Sequence, residues 1–261
     1  MHQLSIADAF VQTGYSLSRR RDSRGRSNGS MMDASVSRQS RGHTQQAAHH
    51  VFGQLRDMIL AVTLVPGTAL SRSALQKKFR LSSTPIRDAL MRLEEVGLVD
   101  VFPQSGTIVS LIDVPLARQA QFLRLSIELE ALRKLALSPD AEVVRQLRGA
   151  IADQRSSAKD GDLERFNEAD LTFHKILYAA AGVADLCALV RRQSVHIDRI
   201  RRLHLPVSGK AGQIVRDHSA IVKAIADGDP DRAQSELRGH LSQSLAFSNE
   251  LRARFPGYFK E

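Results

Sequence analysis

Between Thr68 and Gly97, two short stretches of helical periodicity lie on either side of a tight polar turn, and the flanking chain extends the pattern. In the second stretch Ile86, Ala89, Leu90 and Leu93 recur at three-and-four spacing, which predicts one apolar helix face. The opposite face shows Arg87, Asp88, Met91 and Arg92. Ser82 and Ser83 can cap this helix, Pro85 is tolerated in its first turn, and Gly97 supplies a stop. The first stretch, Ser73 to Phe79, is expected to bury Leu75 and Phe79 against the second. Upstream, Phe52, Leu55, Ile59 and Val62 fall on one face of a further helix, which Pro66-Gly67 ends. Downstream, Leu98 to Phe102 and Thr107 to Leu111 are apolar, β-branched runs around Pro103-Gln104-Ser105-Gly106, the pattern of a hairpin. Three helices followed by such a hairpin make a winged helix-turn-helix.

From Leu116 onward almost every position keeps helical period. Breaks fall at Ser138-Pro139-Asp140, Gly161-Asp162, Gly182, Leu205 to Gly209 and Gly228-Asp229-Pro230. They predict about six helices with no strand and no internal repeat. The chain therefore reads as mainly α: a disordered basic tail over 1–46, a winged helix-turn-helix over 47–111, a linker over 112–115 and an all-helical bundle over 116–255.

Composition refines this picture in three ways. With 261 residues, 43% of them hydrophobic, the chain can build two modest cores. No stretch approaches the roughly 20 apolar residues of a membrane span. The single cysteine, Cys187, excludes an internal disulfide framework, fits a reducing cytoplasm and is expected to be a small core residue. The formal charge of +9 is spread unevenly. Residues 1–50 hold seven Arg against three Asp, net +4, whereas 51–111 hold seven Arg or Lys against five acids, net +2. Global charge is thus weak support for nucleic-acid binding, and the motifs have to carry it. No apolar run follows the tail arginines, so no secretory signal is expected.

The helix-turn-helix is suited to a DNA major groove. Hydroxyls and amides at a helix N-terminus hold phosphates, and a long arginine reaches base edges. The expected contacts are Arg87 to a base or phosphate, Ser82, Ser83 and Thr84 to the backbone, Arg72 and Arg80 to further phosphates, and Gly106 at a wing tip that approaches the sugar-phosphate chain.

In the helical half, FNEADLTFHKILYAAA sets Asp170 and His174 four apart, on one helix face. His218 and His240 each lie eleven residues from Asp229, one on either side. At about 1.5 Å rise per residue each is roughly 16 Å from that turn, so antiparallel helices would bring the two imidazoles level. One carboxylate and three imidazoles suit a divalent first-row ion, zinc first, with nickel or manganese as alternatives. Taken singly each histidine is more often a surface or hydrogen-bonded core residue than a ligand. His196 and His204 are read as solvated or structural.

These stretches carry a resemblance. LRDMIL, LVPGTALS, LSSTPIRDALMRLEEVGLV and SGTIV, in that order over about Phe52 to Val109, resemble the DNA-binding domain of the GntR family of bacterial transcription regulators. Two positions depart from it: the family usually has Gly where Arg80 stands and Arg where Ser83 stands. DLTFH, DHSAIVKAIADGD and Gly239-His240 are similar to the FCD-type ligand-binding domain of the FadR-like branch. The resemblance implies that Asp170, His174, His218 and His240 hold a divalent metal, that a small organic acid completes the coordination, and that Arg124 meets its carboxylate. The alternative for Arg124 is a surface salt bridge with Glu128. It also implies a homodimer on an inverted-repeat operator of double-stranded DNA, released by effector, hence a repressor. Two rivals stay open: a purely structural metal site, and a metal-dependent hydrolase fused to a DNA-binding module. Against the latter, Asp170 is used as a ligand and Glu168 points about 200° away around the helix, leaving no adjacent general base.

Overall fold

The computed structural model describes residues 33–103, 106–207 and 209–261, and the chain divides into two units, one ending at Ser110 and the other beginning at Leu111. The first unit holds α1 (Asp33–Leu60), α2 (Arg72–Phe79), α3 (Ser83–Glu95), β1 (Val99–Phe102) and β2 (Gly106–Val109). Most of the apolar positions read from spacing form its core: Leu55 and Ile59 of α1, Leu75 of α2, and Ile86, Ala89, Leu90 and Leu93 of α3 are buried, whereas Phe52 and Phe79 are only half-buried and Val51 takes the place expected of Phe52. β1 and β2 pair antiparallel from Val99 against Val109 to Phe102 against Gly106. Gln104 and Ser105, in the expected turn between them, lie outside the described residues. A third extended segment, not foreseen, pairs with the other edge of β2: the Leu70 N–H donates to the Thr107 carbonyl at 2.7 Å, and Thr68 and Val109 are joined in the same way. Strand β2 is therefore hydrogen-bonded along both of its edges.

Three expectations for this unit need correction. Helix α1 begins at Asp33, so 33–46 is helical rather than tail, while 1–32 lies outside the described residues. A helix nucleated by buried Ala48, Val51 and Leu55 extends cheaply through Ser, Gln and Arg, because propagation fixes only one residue per added hydrogen bond. Helix α1 also stops at Leu60, before Val62, which stands outside the helix in a left-handed turn at φ 57°. Ser82 is the N-cap of α3, yet its side chain accepts no capping hydrogen bond.

The second unit holds α4 (Val114–Leu137), α5 (Ala141–Asp160), α6 (Leu163–Ala180), α7 (Ala184–Gln193), α8 (Val195–His204), α9 (Lys210–Ala226), α10 (Pro230–Ala246) and α11 (Ser248–Arg254). Every break flagged in the sequence separates two of these helices. Asp140, Asp162 and Asp229 cap α5, α6 and α10 by accepting first-turn N–H groups. Gly161 and Gly228 adopt the positive φ that ends the preceding helix. Leu129, Leu132, Leu147, Phe166, Phe173, Ile221 and Leu237 form one buried core across α4, α5, α6, α9 and α10. The expected six helices are too few because two breaks carry neither Gly nor Pro. Ser194 separates α7 from α8, its hydroxyl donating to the Val190 carbonyl at 2.7 Å, and Phe247 separates α10 from α11. The domain also runs past 255, since Phe259 bridges to Ile112 in parallel. Among the described residues no helix is long and apolar enough to cross a membrane.

Candidate functional site

On α3 the apolar face is turned inward, so the opposite face is presented to solvent. Ser82, Ser83, Thr84 and Arg87 are exposed; the Arg87 side chain is 62% accessible, with Nη2 3.5 Å from Asp88 Oδ1. No acidic residue occupies the first turn. Arg92 on the next turn is committed elsewhere, its guanidinium 4.7 Å from the centre of the Phe52 ring and 3.4 Å from His49 Nδ1. Arg72 opens α2 and is exposed. Arg80 ends α2 in the left-handed region, φ 55° and ψ 42°. That conformation accounts for glycine being the residue expected there, since a Cβ is strained in it. Gly106 has φ 127°, with open space where a side chain would stand.

In the second unit five helices converge on one buried point. Helix α6 supplies Asp170 and His174, α9 supplies His218 and α10 supplies His240; all four are buried. One nitrogen from each of the three histidines lies within 4.8 Å of the others, and Asp170 Oδ1 is 3.8 Å from His218 Nε2. The distant sequence positions 218 and 240 meet with their Nε2 atoms 3.2 Å apart. Helix α5 contributes Gln154 and α4 contributes Glu128.

The hydrogen bonds around these rings fix their tautomers. Gln154 Nε2 donates to Asp170 Oδ1 at 3.4 Å, so its Oε1 faces His218 Nδ1 at 2.8 Å and must accept from it. His240 Nδ1 faces Asp217 Oδ2 at 3.4 Å and likewise donates outward. Both rings then turn an Nε2 lone pair inward, and two lone pairs confront one another at 3.2 Å. Burial pushes His218 and His240 below the usual imidazole range, which holds them neutral. His174 Nδ1 lies 3.1 Å from Glu128 Oε2 but is poorly aligned with it, and His174 Nε2 is buried without a hydrogen-bond partner. Inward lone pairs whose opposite N–H groups are held by a carboxylate and an amide are the arrangement that metal-binding histidines adopt. The donor set therefore fits a divalent ion.

Asp170 is the member held least freely. Arg201, on α8, donates to its Oδ2 at 2.5 Å. Burial would raise the Asp170 carboxyl, but the Arg201 guanidinium, with Arg124 beyond it, holds it well below the ordinary range. Arg124 is buried, not on the surface: its Nε donates to Glu128 Oε1 at 2.7 Å, and the Tyr178 hydroxyl donates to the same oxygen at 3.2 Å. Beside the histidines a narrow cavity of about 30 Å³ is lined by Arg124, Glu128, His174, Tyr178, Cys187 and Arg201. Cys187 is only half-buried here, so it is a cavity residue rather than core, and burial pushes its thiol up. His196 and His204 are both buried, hence structural rather than solvated. Sequence reasoning missed Gln154, Asp217 and Arg201. Each acts across helices with no fixed spacing to its partner, although Asp217 stands next to His218 in the chain.

Comparison with known proteins follows this division. The family model of the bacterial regulatory proteins, gntR family, matches residues 47–109, and that of the FCD domain matches 120–243. An uncharacterized HTH-type transcriptional regulator in an unstable DNA locus of Streptomyces ambofaciens is 35% identical over 221 residues, 85% of this chain and 92% of its own. The HTH-type transcriptional repressor RspR of Escherichia coli is 26% identical, over 84% of this chain and 96% of its own. Among solved structures, E. coli McbR/YncC is alike in fold, with a TM-score of 0.66 at 18% identity over 78% of this chain and 98% of its own. A putative transcriptional regulator GntR from Rhodococcus sp. RHA1 has a TM-score of 0.63 at 20% identity, over 82% of this chain and 99% of its own.

Proposed function

We propose, on the premise that this chain belongs to the GntR family of bacterial regulatory proteins and carries an FCD domain, that it is a cytoplasmic repressor whose helical unit binds a divalent ion and senses a small carboxylate. As a member of that family it is a transcription regulator, not an enzyme. The observation that carries the metal reading is the pair of imidazole lone pairs facing each other at 3.2 Å beside the unpartnered His174 Nε2. His174, His218 and His240 would hold the ion, with Asp170 completing the set through Oδ1, the oxygen turned toward His218 while Arg201 holds Oδ2. When bound, the ion supplies a positive charge that attracts an anionic oxygen. Zinc suits imidazole donors, as nickel or manganese also would.

Arg124 is the residue proposed to meet the effector carboxylate, by a bidentate charge-assisted pair. Its guanidinium lines the cavity but is occupied by Glu128, so the acid has to displace Glu128 or share Arg124 with it. That closed pairing also favours one second reading, a structural metal site with no effector. Thermal shift of the full chain against small carboxylates, with and without Zn²⁺, separates the two: a shift specific to one acid supports the sensor, and a metal-only shift supports the structural site.

For DNA, exposed Arg87 is proposed to read a base, with Ser82, Ser83 and Thr84 and the free first-turn amides of α3 on phosphates. Arg72, Arg80 and Gly106 add backbone contacts. A homodimer reads an inverted repeat with half-sites about 34 Å apart, and the effector acts by preferring one of two dimer arrangements. Phe122, 74% exposed, and Leu116, on the outward face of α4, support self-association through that helix. Phe122→Arg is expected to shift sedimentation toward the monomer.

A further inference from the structure

Helix α8 has two faces with two different tasks. Residues two apart on a helix point about 200° from each other, so Asp198 and Arg201 stand opposite His196 and Arg199. Asp198 and Arg201 line the cavity, and Arg201 holds Asp170. On the other face, His196 Nδ1 accepts from the Asp113 backbone N–H at 3.1 Å and faces Arg199 Nη2 at 2.9 Å. Two donors at one nitrogen place the ring proton on Nε2. Ile197 and Ile200 pack with Ile112, Val114 and Phe259.

The segment gripped in this way, Ile112–Asp113, is the stretch of chain that runs from β2 into α4. The C-terminus clasps it from the other side. The Ile112 N–H donates to the Tyr258 carbonyl at 2.7 Å, the Lys260 N–H donates to the Ile112 carbonyl at 3.0 Å, and Lys260 Nζ lies 3.4 Å from Asp113 Oδ2. The same Asp113 caps α4 through Leu116 N at 2.9 Å. Helix α8 is ten residues long and is bounded by Ser194 and by the turn after Leu205. A short rod with a break at each end moves as a unit, so a displacement on one face is felt on the other.

We propose that α8 is a relay: what Arg201 holds in the cavity is reported, through His196 and the C-terminal clasp, to the segment that leads to the DNA-binding unit. The signal's origin rests on the effector reading above, whereas the mechanical coupling does not, and it is tested without effector or DNA. Amide hydrogen exchange is measured on the full chain for the parent, Arg201→Ala, Arg201→Lys and Gln154→Ala. Gln154 also touches Asp170, but from α5. Arg201→Ala is expected to speed exchange at Ile112, Asp113 and Lys260 by about tenfold, Arg201→Lys by less, and Gln154→Ala to leave these amides at the parent rate. Faster exchange around Asp170 with unchanged rates at those three amides would overturn the relay, as would equal acceleration by Gln154→Ala. Should Arg201→Ala unfold the unit, seen as uniform acceleration from α4 to α10, Arg201→Lys decides by the same criterion. Failure of carboxylates to bind would sink the effector reading and leave the exchange result standing.

Discussion

Stripping divalent ions with a chelator and then restoring them probes the histidine cluster most directly. Without an ion, three inward imidazole nitrogens are buried: two oppose each other at 3.2 Å and the third has no partner. An unsatisfied buried polar group costs about 1–3 kcal/mol. Ligation of three therefore returns roughly 3–9 kcal/mol to the folded state. At an ion concentration 100 times Kd, linkage makes about 2.7 kcal/mol of that visible. For a domain of this size each kcal/mol moves Tm by about 2–4 °C, so scanning calorimetry of the helical unit's transition is expected to rise by roughly 5–11 °C on adding Zn²⁺. His218→Ala and His240→Ala are each expected to abolish most of that increment. A parent whose Tm ignores Zn²⁺, Ni²⁺ and Mn²⁺ alike, or an increment unchanged in both variants, would refute the tautomer argument from which the site is built.

Further outcomes follow from other parts of the fold. Arg87→Ala is expected to weaken operator binding by about 1–3 kcal/mol with unchanged helix content, measured by anisotropy and circular dichroism. Arg80→Gly relieves a left-handed Cβ at φ 55° and should stabilise the winged unit by about 1 kcal/mol, while lowering the salt dependence of DNA binding by about one phosphate contact. Burial, reinforced by Arg199, pushes His196 down to about 4 from its usual 6.5. Because the unfolded chain takes up the proton first, His196 contributes full stability above about pH 6.5 and loses it as pH falls toward 4. The loss totals about 3 kcal/mol, and a His196→Asn variant should flatten that part of the denaturation profile; an identical slope in both proteins would contradict it.

How far the sequence discloses this molecule depends on whether a feature is local. The α3 stripe from Ile86 to Leu93, the hairpin, and the Gly-Asp breaks at 161–162 and 228–229 are each set by neighbours along the chain, and all appear in the fold. The meeting of His218 with His240 is also readable, because a tight turn and two regular helices convert counting into distance. Ser194 and Phe247 were not legible as breaks, since tertiary packing rather than Gly or Pro ends those helices. The Arg124–Glu128 pair was visible at four-residue spacing, but its burial was not: whether such a pair faces water depends on α6 and α8, which bring Tyr178 and Arg201 over it. Arg201 itself sits thirty-one residues from Asp170, on a helix that also carries Arg199 and Arg202, with no spacing rule to single it out.

The lone cysteine at the cavity has a practical consequence. Cys187 is the chain's one thiol, so a maleimide or disulfide reagent attaches at a single spot beside Arg124 and Glu128 without any engineered substitution. Partial burial slows that attack, and the labelling rate then becomes a clock for the opening of the cleft: slow when the helices close over it, quick when they part.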